Sequence, residues 1–228
     1  MPTLTVNDLT INYAERGEGP SVLTLHAATA TGAMMGWLAR HIANLGYRVV
    51  MPDQRGHGKT PNPASDLHMP RLTGDILEFI HALGISPLHG MGYSMGGGVI
   101  LHAAQRHPDM FRSLLLMGTA YNGAGHQRIL DVLGPLERRP EIEQAVFDPQ
   151  TGIGVGWDHP AEFFSNIACP VLIIAADRDE FNDVEASLTF YRALPNARLL
   201  VVPDCDHLGL VRHPILMEAV KEFYSHVR

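Results

Sequence analysis

The sequence predicts an α/β domain: a mostly parallel, twisted sheet of about eight strands with helices on both faces. Three observations lead there. Short runs nearly continuous in Val, Ile and Leu recur along the chain, and such runs suit strands covered on both sides. Stretches with apolar residues at helical spacing separate them. The connections mostly have room for one helix each, as right-handed crossovers between parallel strands require.

In order, Leu4-Thr5-Val6 and Thr10-Ile11-Asn12-Tyr13, broken by Asn7-Asp8, read as a hairpin, and Glu15 to Pro20 as a turn. Val22 to His26 is a buried strand running into Ala27-Ala28-Thr29-Ala30-Thr31-Gly32. A helix with Trp37, Leu38, Ile42 and Leu45 on one side follows, and Gly46 stops it. Tyr47 to Met51 is the next strand, ending in Pro52-Asp53-Gln54-Arg55-Gly56-His57-Gly58-Lys59-Thr60. Asn62 to Pro70 is a proline-bearing loop. Leu72, Ile76, Phe79, Ile80 and Leu83 then mark a helix closed by Gly84. Leu88 to Tyr93 is a strand, and Val99, Ile100, Leu101, Ala103 and Ala104 belong to the helix after it. Ser113 to Met117 is a further strand. From Thr119 to about Ile167 the pattern weakens, because Gly, Pro and charged residues interrupt short helical pieces. Val171 to Ala176, a helix Val184 to Leu194, Leu199 to Val202 and a helix Pro214 to Val227 complete the chain.

The bulk composition excludes several classes of function. With 228 residues the chain suits one domain with a full core. A net charge of −7 without a basic block argues against nucleic acid and anionic membrane surfaces as partners. A small-molecule substrate, and a monomer or homodimer, are the expectation. The two cysteines sit at opposite ends of a parallel sheet, Cys169 before one strand and Cys205 after another, so free thiols and a reducing compartment are expected. The N-terminus lacks a charged segment followed by an apolar one, and no apolar run approaches bilayer length, so a cytoplasmic setting is expected. The 13 histidines show neither His-x-x-x-His nor, with the cysteines, Cys-x-x-Cys spacing; no metal and no cofactor is expected.

The chemistry concentrates at strand ends. Gly92-Tyr93-Ser94-Met95-Gly96 lies where a buried strand turns at once into a helix. Such a corner forces strained backbone on the central residue and needs small neighbours. It would lift the Ser94 hydroxyl above the sheet, over a helix N-terminus with free N–H groups. Gly97 and Gly98 would let the helix pack close to neighbouring strands. A glycine-rich turn with an incidental serine would look the same, so the partners must come from elsewhere. In parallel sheets reactive loops gather at the strands' carboxyl ends. There the sequence places His26-Ala27-Ala28, then Asp177-Arg178-Asp179, then Asp204-Cys205-Asp206-His207.

With Gly92-Tyr93-Ser94-Met95-Gly96-Gly97, Asp53-Gln54-Arg55-Gly56-His57-Gly58, Asp177-Arg178-Asp179 after its strand, and His207 followed by His213-Pro214, the chain resembles the α/β-hydrolase family over nearly its whole length. The resemblance implies acyl transfer: Ser94 as nucleophile, His207 as general base and acid, and a carboxylate that orients the imidazole. It places that carboxylate at Asp179, the last position of a Gly-Asp-x-Asp-like run, and leaves Asp177 to the turn. Asp206 adjoins His207 in sequence and is a distant third. Met117-Gly118-Thr119-Ala120 offers no carboxylate, which removes the other acid position some members use. The oxyanion donors would be the backbone N–H groups of Met95 and, by position, Ala28. His26 is read as a structural histidine, His102 and His107 as surface or packing residues. Asp53 and Arg55 are read as stabilising the neighbouring loop, with a buried Arg–carboxylate pair suiting that geometry. Ser94 at the elbow makes a Cys205 nucleophile improbable.

By the same resemblance residues 1–120 form the first part of the hydrolase core, 121–164 a small helical lid insertion, and 165–228 the second part of the core. Some of the lid's Ile129, Leu130, Val132, Leu133, Leu136, Phe147, Val155, Trp157, Phe163 and Phe164 would line an apolar pocket with Met95, Met34 and Trp37. Met34, Trp37 and Trp157 are the chosen substrate contacts. Gly152-Ile153-Gly154-Val155-Gly156 reads as a flexible connection and not a phosphate loop, since no Lys-Ser/Thr follows it and no strand precedes it. Without an arginine cluster for phosphate or coenzyme A, a small to medium uncharged ester is the expected substrate of a carboxylesterase-like enzyme. Hydrolysis of a C–C bond, lactone or thioester by the same triad, or a non-catalytic receptor on this fold, are the alternatives. Epoxide hydrolase and haloalkane dehalogenase chemistry needs a carboxylate where Ser94 stands.

Overall fold

In the computed structural model, which describes residues 1–227, the chain runs β1 (Thr3–Val6), β2 (Leu9–Arg16), β3 (Ser21–Leu25), α1 (Gly36–Asn44), β4 (Arg48–Pro52), α2 (Met69–Leu83), β5 (Leu88–Tyr93), α3 (Met95–Arg106), β6 (Phe111–Met117), α4 (Gly123–Leu133), α5 (Glu141–Phe147), β7 (Val171–Ala176), α6 (Val184–Ala193), β8 (Ala197–Val202) and α7 (Pro214–His226). The eight strands form one sheet in the order β1-β2-β4-β3-β5-β6-β7-β8. The β1–β2 and β2–β4 pairs are antiparallel, and every pair from β4 through β3 to β8 is parallel.

The period-two alternation of a strand divides its apolar residues between two cores. In β6, Leu114 and Leu116 join one core while Leu115 and Met117 join the other. In β7, Val171 and Ile173 face the first, Leu172 and Ile174 the second. Helices α2, α3 and α6 cover the first face through residues such as Ile76, Phe79, Val99 and Phe190. Helices α1 and α7 cover the second through Leu38, Ile42, Leu216 and Val220. Apolar runs without polar interruption are what a sheet buried on both faces needs; β7 and the Leu114–Met117 part of β6 have them, while β5 is buried throughout despite His89 and two glycines.

The departures are local. Helix α2 starts at Met69, three residues before its apolar pattern, because Pro70 fits the first turn, where its missing N–H is no loss. Gly84 closes it at φ +62°, a left-handed conformation glycine adopts without strain. Strand β6 begins at Phe111, with a register irregularity opposite Leu88 and His89. Trp37 does not share the inward side of α1: Leu38, Ala39 and Ile42 fill it, and Trp37 stays 39% exposed against His41.

Both cysteines are free thiols. Among the described residues no helix is long and apolar enough to cross a membrane. Between β6 and β7 the chain carries α4, α5 and short 3-10 turns at Leu136–Arg138 and Ala161–Phe164. Gly152–Gly156 is held more firmly than a flexible connection. Thr151 and Val155 carbonyls accept from Leu67 and Met69 of the proline-bearing loop, and Ile153 N donates to Val146 O. Gly154 lies so close to His126 that a Cβ would stand 2.3 Å from the ring.

Candidate active site

Ser94 sits between β5 and α3 at φ +51°, ψ −118°, a left-handed backbone that costs a non-glycine residue roughly 1–3 kcal/mol. The glycines around it explain the pattern. A Cβ on Gly92 would lie 2.4 Å from Gly97 Cα, and one on Gly96 2.4 Å from Leu25 O, both backbone atoms that cannot yield. Gly97 meets Thr119, whose Oγ1 would stand 1.9 Å from a Cβ there. Gly98 serves a different neighbour from the one expected: it faces the Trp157 and Met69 side chains and not a strand. The corner is anchored by Ser94 N donating to Met117 O at 2.9 Å.

The loops after β7 and β8 hold one another. Asp177 N donates to Val202 O, Arg178 N to Cys205 O, and Cys205 N to Asp177 Oδ1, each at 3.0 Å. Asp177 thus belongs to the turn, and the bond from Cys205 N holds its carboxyl below the usual carboxylate range. Asp206 Oδ1 accepts from Gly209 N and makes no bond to its neighbour His207. Asp179 is the carboxylate that reaches the imidazole: its Oδ2 accepts from His207 Nδ1 at 2.7 Å. Its Oδ1 accepts from the N–H groups of Phe181 and Asn182, both at 2.9 Å, which fixes the carboxylate plane.

The His207 ring is held on its other sides by groups the sequence did not single out. Tyr93 stacks on it at 5.2 Å and donates its hydroxyl to His207 O. Phe181 meets it edge-on at 5.0 Å. Gly118, at φ +50°, lies so near that a Cβ would stand 3.1 Å from Cε1 and Nδ1. Tyr93 occupies a variable position of the serine pattern and Gly118 announces itself only as a glycine after a strand, so neither carried a chemical signal. With Nδ1–H given to Asp179, His207 keeps the Nε2 lone pair free. Ser94 and His207 border one cavity of about 330 Å³. The Ser94 hydroxyl makes no hydrogen bond to His207 here; the relay is closed on the carboxylate side and open on the hydroxyl side.

The backbone N–H of Met95 opens α3 and that of Ala28 lies on the loop after β3. Neither has an intramolecular acceptor among the described residues, and both residues line the cavity. The Ala28 loop is pinned by side chains of the segment after β4. Gln54 N donates to His26 Nε2 at 3.0 Å and Gln54 Nε2 to His26 O at 2.8 Å. Thr29 N donates to His57 Nε2 at 3.1 Å, and Gly32 N to Asp53 Oδ1 at 2.8 Å. Both imidazoles accept at Nε2 and donate at Nδ1, to Ala27 O and Arg55 O, which requires the neutral form. Burial, and the neighbouring His57, push His26 down to about 4, and burial lowers His57 too. Arg55 does not pair with Asp53. It is buried in a bidentate bond to Asp75 at 2.7 and 2.9 Å, with Asp8 at 3.0 Å, because Asp53 is already committed to the N–H groups of Gly32 and Lys59.

Of the expected substrate contacts, Met34 and Trp157 line the cavity with Met95, Ile129, Leu133 and Phe147. Trp37 does not. It borders a separate surface pocket with Arg212 and Val211, which shares Met34 and Leu208 with the cavity. Leu130, Val132, Leu136, Val155, Phe163 and Phe164 are not on the cavity wall, and Phe164 is fully buried in the core. Ile153 and Glu143 are wall residues that apolar spacing did not reveal.

A family profile described as alpha/beta hydrolase fold matches residues 20–148, more than half of the chain. An epoxide hydrolase of Caballeronia sordidicola is 29% identical over 224 residues, covering 93% of this chain; the chain spans 64% of that protein's length. A 2-hydroxymuconate semialdehyde hydrolase of Pseudomonas putida is 28% identical over 249 aligned residues, covering 89% of this chain and 85% of that protein. Among solved structures, Est816, described as an enzyme degrading N-acyl homoserine lactone, superposes with a TM-score of 0.82 at 21% identity, over 97% of this chain and all of that one. At that identity the likeness speaks to the fold.

Proposed function

The chain belongs to the alpha/beta hydrolase fold family and is a hydrolase, and from that premise we propose that it cleaves a small to medium carboxylic ester through an acyl-enzyme. The observation that carries this reading is the 2.7 Å bond from His207 Nδ1 to Asp179, made beside the cavity that Ser94 borders. Ser94 attacks the ester carbonyl as its proton passes to His207 Nε2. The tetrahedral oxyanion takes the free N–H groups of Met95 and Ala28. His207 then protonates the departing alcohol, and water attacks the acyl-enzyme by the same steps in reverse. Asp179 stays ionised throughout, holding the tautomer and offsetting the imidazolium charge. The Ser94–His207 hydrogen bond would close as the ester is bound, since such bonds tighten in the complex.

A second reading, hydrolysis of a C–C bond or lactone by the same three residues, draws support from the names of the Pseudomonas putida relative and of Est816. The name of the Caballeronia relative suggests epoxide opening, but an alkyl-enzyme route would need a carboxylate where this chain has the Ser94 hydroxyl. The test is turnover of p-nitrophenyl acetate to octanoate, followed by a panel of lactones, thioesters and vinylogous diketones. We expect Ser94→Ala to lower ester kcat about 10³-fold or more. Equal rates in wild type and variant would leave a binding protein in place of an esterase. A panel in which diketones exceed esters in kcat/KM would select the second reading.

A further inference from the structure

We propose that the pocket outside Met34 and Leu208 is a distal subsite of this hydrolase, where Arg212 receives a carboxylate at the far end of a medium-length acyl chain. The inference rests on the reading of Ser94 as nucleophile. It adds a substrate class to that reading, an ester charged at a point remote from the scissile bond, in place of the uncharged ester expected from the sequence. The outer pocket, of about 280 Å³, is walled by Ala33, Met34, Trp37, Leu208, Val211 and Arg212. Met34 and Leu208 also line the catalytic cavity, so one extended molecule can lie against both. Trp37 and Leu208 are large apolar side chains left 39% and 69% exposed. Apolar surface of that size at the mouth of a cavity is what the methylenes of a substrate would cover.

Two arginines border pockets that share walls with the cavity, and one of them is available. Arg128, in the pocket that shares Ala120, Phe181 and Asn182 with the cavity, is bonded to Asp183 and to Glu180 O. The Arg212 guanidinium has no hydrogen bond and no ion pair among the described residues, and no carboxylate lines its pocket. The nearest acid along the chain, Asp206, gives its Oδ1 to Gly209 N. The backbone of Arg212 is fixed: it ends a 3-10 turn over the buried Leu210 and Val211, and its N–H is given to Gly209 O at 3.1 Å. Among the described residues no lysine or arginine lines the cavity itself. A carboxylate close to the ester would therefore lose hydration there without gaining a cation. One placed past Leu208 stays partly hydrated and meets a planar guanidinium that can take both its oxygens. Distance from the scissile bond thus decides whether a negative charge is a penalty or an anchor.

The test uses the purified full chain and two pairs of ethyl esters, followed by acid release: octanoate with hydrogen suberate, and butyrate with hydrogen succinate. Within each pair one terminal methyl becomes one carboxylate. We expect the charged-to-neutral ratio of kcat/KM to be at least about tenfold higher for the long pair than for the short one. Arg212→Met keeps an apolar stem and removes the charge. It should lower the long-pair ratio about fivefold without moving the short-pair ratio, and Arg212→Glu should lower it further. High salt should erase most of the long-pair advantage in wild type and change little in Arg212→Met. Equal ratios for the two pairs in wild type, or a long-pair ratio unmoved by both variants, overturn the proposal while leaving Ser94 as nucleophile. So does a parallel change in both ratios, which would report the overall field of the protein and not a site. If no ester turns over, or Ser94→Ala matches wild type, the Ser94 reading fails, and the subsite is judged separately by calorimetric titration of ethyl hydrogen suberate. There weaker binding to Arg212→Met than to the unaltered chain supports it, and equal binding overturns it.

Discussion

The floor and the roof of the cavity are built on different principles. On the floor, polar groups are held by other polar groups: His26 and His57 each use both ring nitrogens, and Asp179 accepts three hydrogen bonds. In the roof, formed by α4, α5 and the segment after them, Trp157 Nε1 and both nitrogens of His126 are buried without a partner. Apolar burial carries most of that part, joined at its edges by the bonds of Leu67 N and Met69 N to the Thr151 and Val155 carbonyls and of Arg128 to Asp183 and Glu180 O. A hydrogen-bonded floor fixes the His207 imidazole against Asp179, the positioning that the proposed acyl transfer would need. A roof held by packing can change its lining without disturbing that geometry, and it is where a substrate preference is set.

The sharpest way to break this contrast is Asp179→Asn. The amide has one acceptor oxygen: if it keeps the Phe181 and Asn182 N–H groups, its NH2 faces His207 Nδ1 and favours the wrong tautomer. We expect kcat/KM for short esters to fall about 10³–10⁴-fold with little loss of stability. Asp177→Asn keeps the acceptor oxygen used by Cys205 N, so its cost in activity should stay below about tenfold. The reverse order would mean that the turn, and not the acid–base pair, governs the floor.

The roof should fail in the opposite currency, stability before chemistry. Trp157 is 1% exposed and packs over Gly98, so Trp157→Ala opens a cavity the surroundings cannot close. Truncation of such a side chain costs about 3–5 kcal/mol, read as a lower urea midpoint. The kcat of the molecules that remain folded should change less than with Asp179→Asn. A Trp157→Ala protein of unchanged stability but abolished kcat would place the tryptophan on the floor.

Acid should act on the floor through the loop that carries Ala28. His26 titrates near 4 in the folded chain, against an ordinary value of about 6.5 when unfolded. Below pH 6.5 the unfolded chain takes up a proton that the folded chain refuses. The stability this histidine provides is therefore complete above about pH 6.5 and is lost as pH falls toward 4. His26 alone accounts for about 3 kcal/mol across that window, and His57, together with His89 and His102 elsewhere in the core, all lowered by burial, adds to it. Urea midpoints between pH 7 and 4.5 measure the slope, and His26→Gln should flatten it. A slope unaltered by that change would mean the acid sensitivity lies elsewhere.

The same division explains what the sequence made legible. Floor residues announce themselves because backbone geometry restricts them: Gly92 and Gly96 must be glycine, Ser94 must accept φ +51°, and Asp179 and His207 follow strands whose apolar runs are unmistakable. Their contacts were harder to foresee. Arg55 took Asp75, 20 residues away on α2, in place of nearby Asp53, because pairing of that kind is decided by the packed helix and leaves no trace in spacing. Roof residues obey only the requirement to be apolar and of suitable size, so Phe163, Phe164, Ile153 and Trp157 look alike in sequence. Which of them meets the cavity depends on how α4 and α5 dock.

Trp37 gives the smallest effect and the finest test of where the roof ends. As a tryptophan at the start of a helix beside the loop after β3, it was the natural choice for a substrate contact. Helix α1 instead spends its inward positions on Leu38, Ala39 and Ile42, which leaves the indole outside the cavity against His41. An exposed side chain with one aromatic neighbour contributes little to folding, so Trp37→Ala should change stability by less than about 0.5 kcal/mol. Butyrate and smaller acyl esters, short enough to stay within a cavity of about 330 Å³, should keep kcat/KM within about twofold. Octanoate is long enough to reach past Met34 and Leu208 into the outer pocket, where the indole and the Arg212 stem offer apolar surface. A KM raised in Trp37→Ala only for esters longer than hexanoate would extend the roof to α1. An equal loss for acetate would put the indole inside the cavity after all, and the boundary drawn at Met34 would have to move.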